Sequence, residues 1–372
     1  MNRRSFLNAA STATLACASG MATPSLARGS STLDALARRK GLTFGIATSH
    51  LELANPQLAR LLAASASVTL ARNEMKWKRI EKVEGQRDYS RARVVADFAA
   101  NNGLSLRGHN VVWNMDVFLP PWLVEIGQGP PAAARKAVAR HMWHHGHRLA
   151  KAFPEVGSWD VVNEAINPFS GKLRNSVLTR LFGEGVFDLS FRIMRQKSPG
   201  TQLVYNDVVD WREDSMHRTA LLRTVEGALK RSVPIDAIGI QSHLGPNLGK
   251  PIDVAAWSSF LDDLSDFGLP VLLTELDCDD RNLGRIDPTK RDRILADEVR
   301  RYLDVTLDSR NVREVISWMS LDFDMRRFWH GKQRPKWIPE EQNFVGGVFD
   351  GNLQRTPVHH AIEAAFRSAP ER

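Results

Sequence analysis

The strongest constraint on the fold of this chain is an alternation that repeats eight times. Short runs rich in β-branched or apolar residues fall at Phe44 to Ser49, Ser67 to Asn73, Leu106 to Trp113, Ser158 to Glu164, Gln202 to Asp207, Ala237 to His243, Val271 to Asp277 and Val315 to Asp322. Between them lie segments of helical period, among them Arg91 to Asn102, Ala132 to Ala152, Val186 to Gln196, Met216 to Lys230, Val254 to Phe267 and Arg291 to Leu307. Strand followed by helix, eight times over, predicts an α/β fold of the (β/α)8 TIM barrel type. Runs such as AIGIQSH and VLLTELD are nearly continuous in apolar residues, as expected for parallel strands buried on both faces. A length of 372 residues would accommodate one barrel or two smaller domains. No compositional break, Pro/Gly/Ser linker or internal repeat divides residues 38 to 367, so one domain is expected.

The polar residues of these runs gather at their C-terminal ends. In a barrel those ends form the active-site face, which would bring Asn73, His109, Trp113, Asn163, Glu164, Asn206, Asp207, Gln241, His243, Glu275, Asp277 and Trp318 to one mouth. The longer excursions, 118–131, 166–182 and 323–345, would shape a cleft around it.

Two of these residues carry a specific chemistry. Glu164 and Glu275 each close an apolar run, and cleavage of a glycosidic bond with retention needs two such groups. One carboxylic acid protonates the leaving oxygen while a second carboxylate, roughly 5 Å away, attacks the anomeric carbon. Glu164 would need a raised pKa to act as the acid, and a nearby carboxylate provides one. Glu275 must stay ionised and so needs donors. His243 can be one, and Asp277, two residues beyond Glu275 on the same strand and hence on the same side, could orient the imidazole.

The N-terminus reads as an export signal. Arg3-Arg4-Ser5-Phe6-Leu7 precedes a mildly apolar stretch and a small-x-small pattern ending at Ala27, which resembles a twin-arginine leader cleaved to leave residues 28–372. The stretch is too short and too rich in Ser, Thr and Gly to span a bilayer, which takes about 20 apolar residues. The expected location is periplasmic or secreted, with no membrane anchor after cleavage. The formal charge of +8 is too dilute along the chain to argue for nucleic acid, and it loses Arg3 and Arg4 with the leader. Only Cys278 would then remain, which excludes an intrachain disulfide.

The motifs together resemble glycoside hydrolase family 10, typically endo-1,4-β-xylanases, over nearly all of the mature sequence. WDVVNEA (Trp159 to Ala165), QSHL (Gln241 to Leu244) and TELD (Thr274 to Asp277) agree in order and spacing, supported by NEMKW, RGHNVVW, YND, VPIDAIGIQSHL and VFDGNLQRTP. The resemblance implies Glu164 as acid/base, Glu275 as nucleophile and Asn163 as a donor to the sugar 2-hydroxyl. It implies that Asn73, Lys76, His109 and Gln241 bind sugars on the non-reducing side, with Trp113 and Trp318 lining the cleft. Asn206, Asp207 and Asp277 would stand behind the reacting groups. The expected partner is xylan or a related β-1,4-glycan, bound by a monomer with neither cofactor nor metal. A barrel hydrolase acting on a uronic-acid-bearing bacterial exopolysaccharide or other β-glycan, or a catalytically silent carbohydrate-binding barrel, is the alternative.

Four features depart from the family pattern. Arg72 stands where Glu is usual, Asn114 where His is usual and Val208 where Tyr is usual, and Met319 to Trp329 lacks the Asp-x-Tyr-Ser-Trp spacing. A guanidinium at position 72, with Arg326 and Arg327 on another mouth segment, points to recognition of a uronic-acid-bearing glycan. The run HMWHHGH, with His141, His144, His145 and His147, has no acid to complete a metal site and reads as a solvated helix face. Asp279 with Asp280 is read as solvated too, while Trp122, Trp257 and Trp337 are expected to pack.

Overall fold

The computed structural model describes residues 31–212, 215–284, 286–322 and 345–372. Residues 1–27, read from the sequence as an export signal, lie outside the described residues, as do Arg326, Arg327 and Trp337. From Thr32 to Arg372 the chain forms one compact unit.

Eight parallel strands close into a barrel in chain order: β1 (Thr43–Thr48), β2 (Val68–Ala71), β3 (Ser105–Trp113), β4 (Val156–Asn163), β5 (Gln202–Asp207), β6 (Ala237–Ile240), β7 (Val271–Leu276) and β8 (Val312–Ser317). β8 pairs back onto β1, with Phe44 opposite Val315, so no sheet edge is left open. Every expected strand is present. Several end short of the polar residues that follow them, so that Glu164, Gln241 and His243 sit just beyond their strands. The six expected helices are found within a few residues, as Ser90–Asn101, Pro131–Ala152, Gly185–Lys197, Ser215–Lys230, Val254–Asp266 and Pro288–Thr306.

Local chemistry explains the helix starts. Pro131 sits in the first turn of its helix, where no N–H partner is needed. Asp253 and Asp287 accept from the backbone N–H three residues on, at 2.9 and 3.0 Å. A capped helix not singled out in the sequence, Pro357–Ser368, packs Phe366 edge-on against Phe44 of β1.

The main core lies between strands and helices, whereas the barrel interior is partly ionic. Arg107 of β3 is buried and bonds Glu314 of β8 at 2.9 Å and Asp160 of β4. Beside it, Gly108 is required by packing: a Cβ there would come 2.0 Å from the Trp159 ring.

Candidate active site

The two glutamates are joined by a hydrogen-bonded bridge across four strands. Glu164 Oε1 accepts from Gln241 Nε2 at 3.1 Å, and the same amide lies 3.3 Å from Asn163 Oδ1. Asn206 Nδ2 donates to Asn163 Oδ1 at 2.8 Å and to Glu275 Oε1 at 2.7 Å. Asn206 is itself held by Thr274 Oγ1 at 2.6 Å. Register places these side chains together, since Asn163 pairs with Asn206 and Asn206 with Gly239. Gly239 is the second glycine that packing demands, because a Cβ would stand 2.4 Å from Asn206 Oδ1.

Backbone geometry singles out the same positions. Glu164 has φ 50° and Ser242 φ 64°, a left-handed conformation that L side chains rarely adopt. Such residues persist where surroundings over-determine them, commonly at functional sites. Here Glu164 N is fixed by Asn206 O at 2.9 Å.

The two carboxyls have opposite environments. Burial raises the Glu164 carboxyl above its usual range and Asp207 adds to the push, while Gln241 and Arg174 partly oppose it. Burial would raise Glu275 as well, but His109, His243 and Lys76 outweigh it and hold that carboxyl at about 2. His243 Nε2 is 3.3 Å from Glu275 Oε2 and its Nδ1 is 2.9 Å from Asp277 Oδ1. Burial would lower the His243 pKa, yet these two acids drive it well above the usual value. His109 lies within β3 rather than at its end, with Nδ1 2.9 Å from Asp160 Oδ2 and 3.9 Å from Glu275 Oε1.

Lys76 and the tryptophans form one wall. Lys76 Nζ donates to Asn73 Oδ1 at 2.9 Å and sits 4.5 Å from the Trp113 ring and 5.8 Å from the Trp318 ring. Burial draws its ammonium down to about 8, although Glu275 and Glu164 favour the charge. Trp318 stands edge-on to His109 and His243. Asn73 is exposed. Asp207, fully buried, accepts from Tyr205 at 2.5 Å and from Ile166 N at 3.2 Å behind Glu164.

Two expectations require correction. Arg72 does not present a free guanidinium: it pairs with buried Glu52 and bonds the carbonyls of Ala47 and Trp318 at 3.3 and 3.1 Å. Glu52, from the segment after β1, neutralises the charge on which recognition of a uronic acid rested. The histidine run is not a solvated face throughout either. His145 is buried and stacked 4.1 Å from Trp77, and burial lowers its pKa to about 3. Only two other histidines of the run, His144 and His147, flank half-exposed Trp143. Trp257 is buried, and Trp122 packs edge-on to Trp77.

Other neighbours come from the connecting segments, where the sequence marks Asn114 only as a departure and gives no contact for Phe118 or Arg174. Phe118 stacks on Trp113 with centroids 3.5 Å apart, so a ring already covers one face of that tryptophan. Arg174 donates to Glu164 Oε2 at 3.2 Å. Asn114 is buried and accepts from Ser176 at 2.5 Å and donates to Thr179 at 2.9 Å, tying the segment after β3 to the one after β4. Among the described residues, His359, His360 and Glu363 are the one group close enough to share a metal ion, but Glu363 is engaged by Arg367 at 2.6 Å.

The chain is thus a closed eight-stranded parallel barrel with an acidic pair at the C-terminal ends of β4 and β7. The model of glycosyl hydrolase family 10 matches residues 32–365, and the chain belongs to this family. It is 34% identical over 216 residues to endo-1,4-beta-xylanase 3 of Hypocrea jecorina, covering 58% of this chain and 60% of that protein. It is 29% identical to an endo-1,4-beta-xylanase of Agaricus bisporus over 89% of this chain and 93% of the relative. The fold is similar to xylanase B of Clostridium stercorarium F9, with a TM-score of 0.76 at 23% identity over 89% of this chain and 98% of that one. Xylanase 10B of Thermotoga petrophila, solved with xylobiose, superposes with a TM-score of 0.75 at 22% identity over 91% of this chain and 97% of that one.

Proposed function

We propose that this chain is a retaining endo-β-1,4-glycoside hydrolase of the xylanase type, with Glu164 as acid/base and Glu275 as nucleophile. The observation that carries the reading is the opposite poise of the two carboxyls, Glu164 raised and Glu275 held at about 2. A group kept protonated can give its proton to the glycosidic oxygen, and one kept ionised can attack the anomeric carbon. The Asn163 and Gln241 amides, with Asn206 bonded behind them, offer neutral hydrogen bonds to an uncharged sugar. Trp318, partly buried, and Phe118, exposed, offer ring faces. The names of the relatives support xylan as the substrate. Pairing of Arg72 with Glu52 favours a neutral backbone over an acid-bearing one.

Reducing-sugar release from xylan tests the activity, and proton NMR of the first product tests retention. The expected result is release of β-anomers that Glu275→Gln lowers by orders of magnitude. No release from any β-1,4-glycan would leave the silent-barrel alternative standing. We further propose export through the twin-arginine segment, which predicts a mature N-terminus at Arg28 by sequencing of the secreted protein.

A further inference from the structure

Among the described residues, Arg174 is the cation that forms an ion pair with the proposed proton donor, and it comes from the segment that follows Glu164 itself. An antiparallel bridge between Ile166 and Leu173 folds this segment back, and Arg174 N donates to Ala165 O at 2.8 Å. The side chain is 17% exposed; its terminal nitrogen reaches Glu164 Oε2 at 3.2 Å, and its Nε is buried without a hydrogen-bond partner. Glu164 Oε1 is taken by Gln241, so the two oxygens are held from opposite sides.

Among the described residues, the charges facing Glu164 come from four elements. Asp207 approaches from β5, with Tyr205 and His217 against it, the latter at 3.5 Å. Glu275 comes from β7, Lys76 from the segment after β2, and Arg174 from the segment after β4. Burial and Asp207 favour the protonated form of Glu164, while Gln241 and Arg174 favour the anion.

These charges act differently in the two half-reactions. In the first, a Glu275 oxygen bonds the anomeric carbon, the bond to the leaving oxygen breaks, and the Glu164 proton goes to that oxygen. Glu164 is now an anion facing Asp207, and Glu275 is a neutral ester. In the second, water bonds the anomeric carbon, gives its proton to Glu164, and the ester bond breaks to return the Glu275 carboxylate.

We propose that Arg174 is a positioning residue for the second half-reaction, holding the Glu164 carboxylate anionic and aimed while the glycosyl-enzyme waits for water. The proposal rests on Glu164 being the acid/base. Loss of Arg174 removes a charge-assisted hydrogen bond from the anion and leaves Asp207 opposed to it, so hydrolysis of the intermediate slows more than its formation.

The test uses Arg174→Gln on a 2,4-dinitrophenyl β-xylobioside, whose leaving group needs no proton. The expected result is a burst of dinitrophenolate, then a steady rate roughly 10- to 100-fold below wild type. Azide, which attacks without a proton to lose, should restore that rate. On unactivated xylo-oligosaccharides the basic limb of kcat/KM should move to higher pH, since Glu164 has lost a cation favouring its anion. A variant with no burst, no azide rescue and an unmoved basic limb overturns the proposal. Should Arg174→Gln fail to fold, Arg174→Lys carries the test. It keeps the charge and loses the fork, so the second step should slow a few-fold with the limb in place, whereas slowing of the first step alone overturns the idea. Glu164→Ala, run alongside, should show the same burst and rescue in larger form. Failure there sinks the assignment of Glu164, while failure of the Arg174 variants alone sinks only this inference.

Discussion

Gly239→Ala should damage the site without touching a carboxylate. The added Cβ would lie 2.4 Å from Asn206 Oδ1 and 3.1 Å from Asn206 Cγ, about 1 Å inside ordinary contact. Asn206 cannot yield cheaply, because Thr274 at 2.6 Å, Asn163 at 2.8 Å and Glu275 at 2.7 Å all hold its amide. A shift of about 1 Å breaks these bonds, and the one to ionised Glu275 is of the kind worth about 1.5–3 kcal/mol. That corresponds to roughly a 10- to 100-fold loss in kcat/KM, with Glu275 losing a donor and the acid limb of the pH profile moving up. Overpacking should also cost about 1–3 kcal/mol of stability, measurable as a lower Tm. Kinetics on an aryl β-xylobioside from pH 3 to 9 provide the assay. Wild-type kcat/KM with an unmoved acid limb would refute the view that Asn206 holds Glu275 in place.

Two more outcomes follow from the corrected residues. Arg72→Met should cost about 3 kcal/mol by urea unfolding, since Glu52 is left buried without its cation and with only the hydroxyls of Thr48, Ser49 and Ser320 as donors among the described residues, without altering preference between neutral and uronic-acid-bearing oligosaccharides; a changed preference would return Arg72 to the binding site. His145, held neutral down to about pH 3, takes up a proton near pH 6.5 only when unfolded, so stability should fall as pH drops from about 6.5 towards 3. His145→Phe should flatten that fall in Tm, and an unchanged acid slope would contradict the burial argument.

The barrel was legible because parallel strands buried on both faces leave apolar runs, and helices between them keep their period. All eight strands and the six named helices follow from that patterning. Contacts made by irregular segments carry no such signal. Glu52, Phe118 and Arg174 each reach the mouth from a connecting segment, and nothing about their spacing announces Arg72, Trp113 or Glu164 as partners. His145 was misread for another reason: on a helix, the face that meets the barrel is set by packing against Trp77, whereas a run of polar-looking histidines hides the apolar period.

In the proposed mechanism Glu275 forms a covalent bond to the sugar while Glu164 manages the proton. A 2-deoxy-2-fluoro β-xylobioside with a dinitrophenyl leaving group slows both steps but forms the intermediate faster than water removes it, so the adduct can be located by mass in a peptide digest. The expected result is inactivation with one fluoroxylobiosyl group on Glu275. An adduct on another residue, or turnover with no adduct and inverted product, would contradict it.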